Sequence, residues 1–98
     1  MKYLIEIMPP IARANEIDAN GGPGELFERI AARFKPEAMY ATASKRALVL
    51  IADLSDEDMA ELMFTCGRAV DCVPTLTPLL SPAAMIAALH RTDEVLRP

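Results

Sequence analysis

The alternation of hydrophobic and polar positions along the chain predicts a series of strands and helices. Residues 3–8 form a short apolar run that contains Glu6 and stops at Pro9-Pro10, so a strand is expected there. Between residues 23 and 34, large apolar side chains recur at helical spacing and charged side chains occupy the opposite side. This pattern predicts an amphipathic helix, which ends before Pro36 because the residue preceding a proline resists helical backbone angles.

Residues 10–22 are compatible with two structures. Pro10 suits the first position of a short helix that continues to Ala19, and the sequence Asn20-Gly21-Gly22 would end it. However, the apolar residues of this segment form only a weak face, at Ile11, Ala14 and Ile17. A mobile loop is therefore the alternative, and the sequence leaves both open.

The next two strands are expected to form a hairpin from residues 38–43 and 46–53. Their connection at Ser44-Lys45 lacks the Asn-Gly or Asp-Gly pair of a two-residue turn, so a slightly longer loop is expected. Residues 48–52 are apolar at every position, which is typical of a strand buried on both faces, so this strand is predicted to be central. A tip at Ser44-Lys45 would place six side chains on one face: Ala38, Tyr40, Thr42, Ala47, Val49 and Ile51.

A capped helix is predicted after this hairpin. Ser55 can accept a hydrogen bond at the helix start, and the acidic residues 56–58 lie where the helix dipole favours negative charge. The acidic residues lack the ligand order of a calcium loop, so we expect no metal ion there. Gly67 is expected to end the helix, after apolar residues at helical spacing: Met59, Leu62, Met63 and Cys66.

Residues 72–82 combine strand-forming residues with prolines at positions 74, 78 and 82. A proline lacks the N–H that pairs strands, so the segment is predicted to be a strand at the edge of the sheet. Ser81-Pro82 is typical of a helix start, and we expect that helix to reach its last turn near His90. The polar residues 91–98 are expected to fray.

The predicted order is strand, helix, strand, strand, helix, strand, helix. This is the βαββαβ pattern of ferredoxin-like domains with an extra C-terminal helix, within the α+β class. Right-handed crossovers place the four strands of the antiparallel sheet in the order 4-1-3-2, with both main helices on one face. A chain of 98 residues is expected to form one domain over residues 1–98.

Composition and charge narrow the classes of function. The net charge is −4 and the one basic doublet is Lys45-Arg46, so no nucleic-acid partner is expected, because phosphate contacts need clustered basic residues. No segment is long and apolar enough to span a membrane and the start does not resemble a signal peptide, which favours a cytoplasmic protein without a membrane partner. Cys66 and Cys72 match no zinc or redox spacing, so buried, reduced thiols are expected.

Three segments resemble the dimeric α/β-barrel superfamily, and most of all its small muconolactone-isomerase-like domains and their uncharacterised relatives: MKYLIEI, RALVLIADLSDEDMAELM and DCVPTLTPLLSP. The resemblance implies a homodimer, or a higher oligomer, in which two four-stranded sheets face each other as a barrel with the helices outside. Residues 72–82 are then predicted to lie at or near the subunit contact. The superfamily includes isomerases, cofactor-independent oxygenases, haem-degrading enzymes and domains with no known activity, and its small ligands often lie between sheet and helices.

Few polar side chains could point into a cavity of such a fold. Glu6 is a catalytic candidate, because a carboxylate in a central strand is either paired or raised in pKa, and a raised carboxylate is a useful general base. The alternatives for Glu6 are a wet barrel interior or an ion pair across a dimer interface. His90 is a catalytic candidate because its unperturbed pKa lies near neutrality, and its alternative role is at the negative end of the last helix. The candidate ligand-binding residues carry hydroxyl groups: Tyr3, Tyr40, Thr42 and Thr75.

Two functions remain open from the sequence. Neither involves an expected cofactor or metal, because the sequence contains no phosphate-binding loop and no set of metal ligands. The chain could bind or transform a small organic molecule in a pocket between sheet and helices, with isomerase- or oxygenase-like chemistry by analogy with the fold. It could instead be a non-catalytic domain that forms a homodimer and holds no ligand. A pocket against the helix of residues 23–34, with Glu6 in its wall, would favour the first.

Overall fold

The computed structural model describes residues 1–97, which contain four strands and four helices. In chain order they are β1 (Lys2–Ile7), α1 (Ile11–Ala19), α2 (Gly24–Phe34), β2 (Ala38–Thr42), β3 (Ala47–Asp53), α3 (Asp56–Val70), β4 (Thr75–Pro78) and α4 (Pro82–Leu96). The strands form one sheet in the order β2-β3-β1-β4, and every neighbouring pair is antiparallel. The predicted α+β class is confirmed, and so is the predicted strand order, which is the same order read from the other edge.

The register of the β2–β3 hairpin agrees with a tip at Ser44-Lys45. Tyr40 lies opposite Val49, and Thr42 lies opposite Ala47. The connecting turn covers residues 43–46, and Arg46 adopts a positive φ of 51° in it. The loop is therefore longer than a two-residue turn, as the absence of an Asn-Gly or Asp-Gly pair predicts.

One face of the sheet packs against α2 and α3 and holds the core. Ile5 and Leu50 lie opposite each other on the two central strands and are fully buried, together with Leu62 of α3. Ile30 and Phe34 bring α2 into the same cluster. This face is named the helix side of the sheet, and it confirms that both main helices lie on one face.

The other face of the sheet is less buried. Burial alternates along most of β1 and β3, so that Val49 and Ile51 are only half-buried between buried neighbours, and Leu4 is half-buried next to the buried Ile5. The central place of β3 is confirmed, whereas the expected burial on both of its faces is not complete. We name this face the open face, and it consists of Lys2, Leu4, Glu6, Ala38, Tyr40, Thr42, Ala47, Val49, Ile51, Asp53, Thr75 and Thr77.

The segment that the sequence leaves open between helix and loop is helical, as α1. Ala14 is its buried residue, and Asn20 ends the helix by donating its backbone N–H to the carbonyl oxygens of Glu16 and Ile17. Gly21 and Gly22 then adopt positive φ values of 103° and 84°, which glycine tolerates because it lacks a Cβ atom.

Helix α3 continues beyond Gly67, so the expectation that this glycine ends the helix is wrong. The additional turn places Val70 in the core, where it is 2% exposed. Arg13 of α1 also donates a hydrogen bond of 3.0 Å to the carbonyl oxygen of Ala69. The helix ends only at Asp71, which has a positive φ of 55°. Burial and this bond to a terminal carbonyl outweigh the preference of glycine for helix ends.

The expectation that residues 91–98 fray is corrected as well, because α4 is helical through Leu96, while Pro98 lies outside the described residues. The Ser81 hydroxyl caps α4 by accepting a hydrogen bond of 3.1 Å from the backbone N–H of Ala84, and alanine, methionine and leucine favour the helix that follows. His90 therefore lies in the middle of α4 and not in its last turn, so it has no role at the helix end. None of the described side chains of α4 is buried.

Candidate functional site

A pocket of about 200 Å³ lies between the helix side of the sheet and helices α1 and α2. Most of its lining is apolar, because it is built from the inward faces of amphipathic elements. Ala14 is the one fully buried side chain of α1, and because alanine is small, α1 fills little of the space beneath it. The main apolar side chains of the lining are Ile7, Ile17, Leu26, Phe27, Ile30 and Leu48.

Charged and polar side chains from α1 and the hairpin lie at one end of this pocket. The Arg46 guanidinium donates to Asn15 Oδ1 at 2.8 Å and to the Asp18 carboxylate, and its other N–H groups remain available. Thr42 Oγ1 accepts a hydrogen bond of 3.3 Å from the backbone N–H of Ala47, and the pairing of these two residues places the Thr42 side chain on the open face, although residue 42 borders the pocket at the end of its strand. The pocket therefore combines an apolar cavity with guanidinium N–H donors whose positive charge is balanced by Asp18.

Helix α1 forms the outer wall of the pocket and is tied to the rest of the chain largely by charged side chains. Arg13 Nε lies 3.7 Å from Asp71 Oδ2, and Arg46 of the hairpin pairs with Asp18 of α1. Exposed ion pairs of this kind contribute about 0–1 kcal/mol each. Of the side chains of α1, only Ala14 is buried, with Ile17 half-buried against the core.

The predicted site residues do not gather in this pocket. Thr42 lines it, whereas Tyr3 lies elsewhere on the helix side, packed against the core. Glu6 and Thr75 lie opposite each other on the open face, on the far side of the sheet from the pocket. His90 is exposed on α4. The two candidate catalytic residues are therefore in different parts of the molecule.

Glu6 lines a second concave region, of about 270 Å³, on the open face. Val49 pairs with Glu6 on one side and with Tyr40 on the other, so Glu6, Tyr40 and Thr75 lie in one row across the sheet. Strand spacing separates Tyr40 from Glu6 by roughly 10 Å. Glu6, Tyr40 and Thr75 therefore share the open face and do not line the pocket between the sheet and helices α1 and α2.

Sequence reasoning missed Asp18 and Arg46 as a pair at the pocket. A helix over residues 11–19 places Asn15 and Asp18 three residues apart, and therefore on the same side. That spacing was the available signal. Which side of α1 faces the hairpin depends on how the helix packs, and Arg46 reaches α1 through a turn with positive φ that the sequence does not specify.

The two thiols are unreactive by environment. Cys66 and Cys72 form no disulfide, and Cys66 is 1% exposed while Cys72 is half-buried. Burial raises the pKa of the Cys66 thiol to about 12 and also raises the pKa of Cys72. A thiol with a raised pKa is protonated at neutral pH and is a poor nucleophile and metal ligand. The expected burial is confirmed for Cys66 and is partial for Cys72.

Comparisons of the chain with models of protein families, with curated proteins and with solved structures find no match. The resemblance to the dimeric α/β-barrel superfamily therefore stays a prediction. Within residues 1–97, no group of His, Cys, Asp or Glu side chains is arranged to hold a metal ion. None of the helices in this part of the chain has the length and apolar character that crossing a membrane requires.

Proposed function

We propose that the protein binds a small, largely apolar organic molecule in the pocket between the sheet and helices α1 and α2. The observation that carries this proposal is the pocket itself, an apolar space of about 200 Å³ beside a fully buried core. Apolar cavities of about 150 Å³ are large enough to hold benzene. A molecule with one ring is therefore the size that fits.

The polar end of the pocket favours a ligand with a hydrogen-bond acceptor. Arg46 supplies N–H donors there, and because its charge is balanced by Asp18, a neutral acceptor such as a phenol or carbonyl oxygen matches this end of the pocket. Asp18 is the acidic residue of the lining, and it is already paired with Arg46. The pair has no net charge, so a neutral ligand with a hydrogen-bond acceptor is the best match to the pocket.

Binding, and not catalysis, is the function that this geometry supports. Nucleophilic catalysis needs a nucleophile and a base within hydrogen-bond reach of each other. Thr42, the hydroxyl of the lining, bonds to the backbone N–H of Ala47 and not to a base. Glu6 and His90 lie outside the pocket, and the carboxylate of the lining, Asp18, is paired with Arg46 and not with Thr42.

Filling the pocket tests the proposal. Ala14 is 6% exposed at the pocket, so Ala14→Phe would place a ring in the space that the ligand needs. Ala60→Phe adds the same ring at an exposed position of α3 and is the matched control. Benzoate and phenol serve as probes. A probe at ten times its dissociation constant stabilises the folded protein by about 1.4 kcal/mol, which raises the melting temperature by roughly 6–11 °C.

We expect this stabilisation in the unmodified chain and in Ala60→Phe, and its loss in Ala14→Phe. The Glu6→Gln variant should respond to the probes like the unmodified chain, because Glu6 lies on the open face. Stabilisation of Ala14→Phe to the same extent as the control, or no stabilisation of the unmodified chain by either probe, would contradict the proposal.

The second candidate is a non-catalytic domain that forms a homodimer and holds no ligand. The observation that favours it is the number of large apolar side chains that the chain exposes outside the pocket, among them Phe64, Met85, Ile86 and Leu89. This candidate predicts a dimer that neither probe stabilises. The same melting experiments, combined with a mass measurement in solution, therefore separate the two candidates.

A further inference from the structure

The first half of α4 is apolar on every side and exposed on every side. Residues 83–89 read AAMIAAL, contain no polar side chain and are all exposed. The three largest side chains, Met85, Ile86 and Leu89, are 59%, 58% and 61% exposed. A helix that is apolar all round is normally buried in a protein interior or an interface. Nothing in residues 1–97 supplies that cover for α4.

The open face of the sheet is the second surface without cover, and its apolar centre is bordered by the polar side chains Glu6, Thr75 and Thr77. Its centre consists of Leu4, Val49 and Ile51, which are only half-buried although they lie on the two central strands. Tyr40, at the margin, is 70% exposed. A sheet normally buries its apolar face against another layer, so this face lacks the layer that its residues favour.

The accessible surface and the radius of gyration of the chain both exceed the values of a compact monomer. Its accessible surface is 7042 Å², whereas a compact monomer of 10.7 kDa exposes about 5,500 Å². Its radius of gyration is 16.7 Å, whereas about 13 Å is usual for this length. A stable interface buries roughly 800 Å² on each partner. The excess surface is therefore sufficient for a stable dimer.

We propose that α4 of one copy of this chain docks on the open face of a second copy, and that the second copy returns its own α4 in the same way. A two-fold pairing of this kind buries both apolar surfaces of both copies at once, whereas a partner that covered one surface would leave the other exposed. The apolar residues 83–89 of α4 span about 10 Å, enough to cover the two central strands, where the apolar residues of the open face lie.

The pairing is between copies because α4 does not fold back on its own sheet. It begins after residues 79–81, directly beyond the edge strand β4, and none of its described side chains is buried against the rest of the chain. The chain reaches 58 Å along its longest axis and about 25 Å across. The resulting dimer places a helix on each sheet, which differs from a barrel made by two facing sheets.

The double variant Ile86→Asp with Leu89→Asp tests the docking helix. Neither side chain is buried within the chain, so the variant should fold like the unmodified protein, as checked by circular dichroism. The variant Arg91→Asp changes the net charge by the same amount on another side of α4 and is the matched control. Sedimentation should show a dimer for the unmodified chain and for Arg91→Asp. The dissociation constant of the double variant should be at least about tenfold higher.

Mixing two variants tests whether the contact is reciprocal. Val49→Lys damages the receiving face of the sheet, and Ile51→Lys serves the same purpose if Val49→Lys does not fold. A copy with the damaged helix still has an intact sheet, and a copy with the damaged sheet still has an intact helix. Each variant alone should be monomeric, whereas the mixture should form heterodimers through one intact contact.

Three results would overturn the inference. They are an unmodified chain that is monomeric at about 100 μM, a double variant that dimerises like the unmodified chain, and a mixture that associates no better than either variant alone. Each result is independent of ligand binding, because the pocket lies on the helix side of the sheet and α4 does not line it.

Discussion

Ile5 and Glu6 are neighbours in the chain and lie on opposite faces of the sheet. Successive side chains of a strand point to opposite sides, so the burial of Ile5 and Ile7 against the helices directs Glu6 to the open face. Backbone alternation, and not the chemistry of the carboxylate, therefore determines where Glu6 lies. The backbone also determines the position of Arg46, because the geometry of its turn directs the guanidinium toward α1.

Cys66 should make the stability of the protein depend on pH above neutrality. Burial raises the pKa of its thiol from 9.0 to about 12, so the folded state holds a proton that the unfolded chain releases. The stabilisation is complete below pH 9 and is lost as the pH rises from 9 toward 12, by up to about 1.4 kcal/mol per pH unit. Urea unfolding at several pH values should show this loss in the unmodified chain and a smaller one in Cys66→Ala. Equal slopes in the two proteins would contradict it.

At the scale of secondary-structure elements, α3 and α4 begin in the same way but pack differently. Ser55 accepts a hydrogen bond of 3.1 Å from the backbone N–H of Asp58, and Ser81 accepts one of 3.1 Å from Ala84. Both helices have 15 residues. However, α3 contributes Leu62, Cys66 and Val70 to the core, whereas α4 contributes no buried side chain among those described. A good cap therefore determines where a helix starts and not whether it packs.

This difference predicts unequal effects for two matched substitutions. Ser55→Ala should lower the free energy of unfolding by about 1 kcal/mol, because the loss of the cap weakens a helix that belongs to the cooperative core. Ser81→Ala should leave the unfolding of dilute protein unchanged within about 0.5 kcal/mol, because α4 does not contribute to that core. Urea unfolding of both variants checks the prediction, which fails if the two losses are equal.

At the scale of the whole molecule, the cooperative fold is concentrated on one side of the sheet. The fully buried side chains Ile5, Leu50 and Leu62 belong to one cluster on the helix side. The open face and α4 add exposed apolar surface without adding to this cluster. The buried core of a single chain therefore lies on the helix side, and the rest of its apolar surface stays exposed.

Two leucine substitutions should reveal this asymmetry. Leu50→Ala should cost about 2–5 kcal/mol, a large part of the roughly 5–15 kcal/mol that stabilises a domain, because it opens a cavity at a fully buried position. Leu89→Ala removes a side chain that is 61% exposed and should change the stability of dilute protein by less than about 0.5 kcal/mol. Thermal or urea unfolding of dilute samples is the measurement. A comparable loss in Leu89→Ala would show that α4 packs within its own chain.

Much of the fold was predictable because its signals are local. The proline pair after β1, the serine caps and the apolar run of β3 predict elements that the structure contains, and the alternation in the hairpin predicts the observed register. The predictions that failed concern the ends of α3 and α4. Gly67 is a weak local signal, and the burial of Val70, together with a hydrogen bond from Arg13, outweighed it.

The candidate site was less predictable, because hydroxyl groups and a carboxylate indicate chemistry without indicating direction. Of the predicted residues, Thr42 reaches the pocket, while Asp18 and Arg46 join it from segments that are 28 residues apart. The sequence by itself determined the four strands, the starts of α3 and α4 and the residues that alternate between faces, because these follow from periodicity and local capping, and crossover handedness then predicted the sheet order. Only the tertiary structure decided which face the helices cover, where the pocket opens and that α4 stands apart, because these depend on contacts between distant segments.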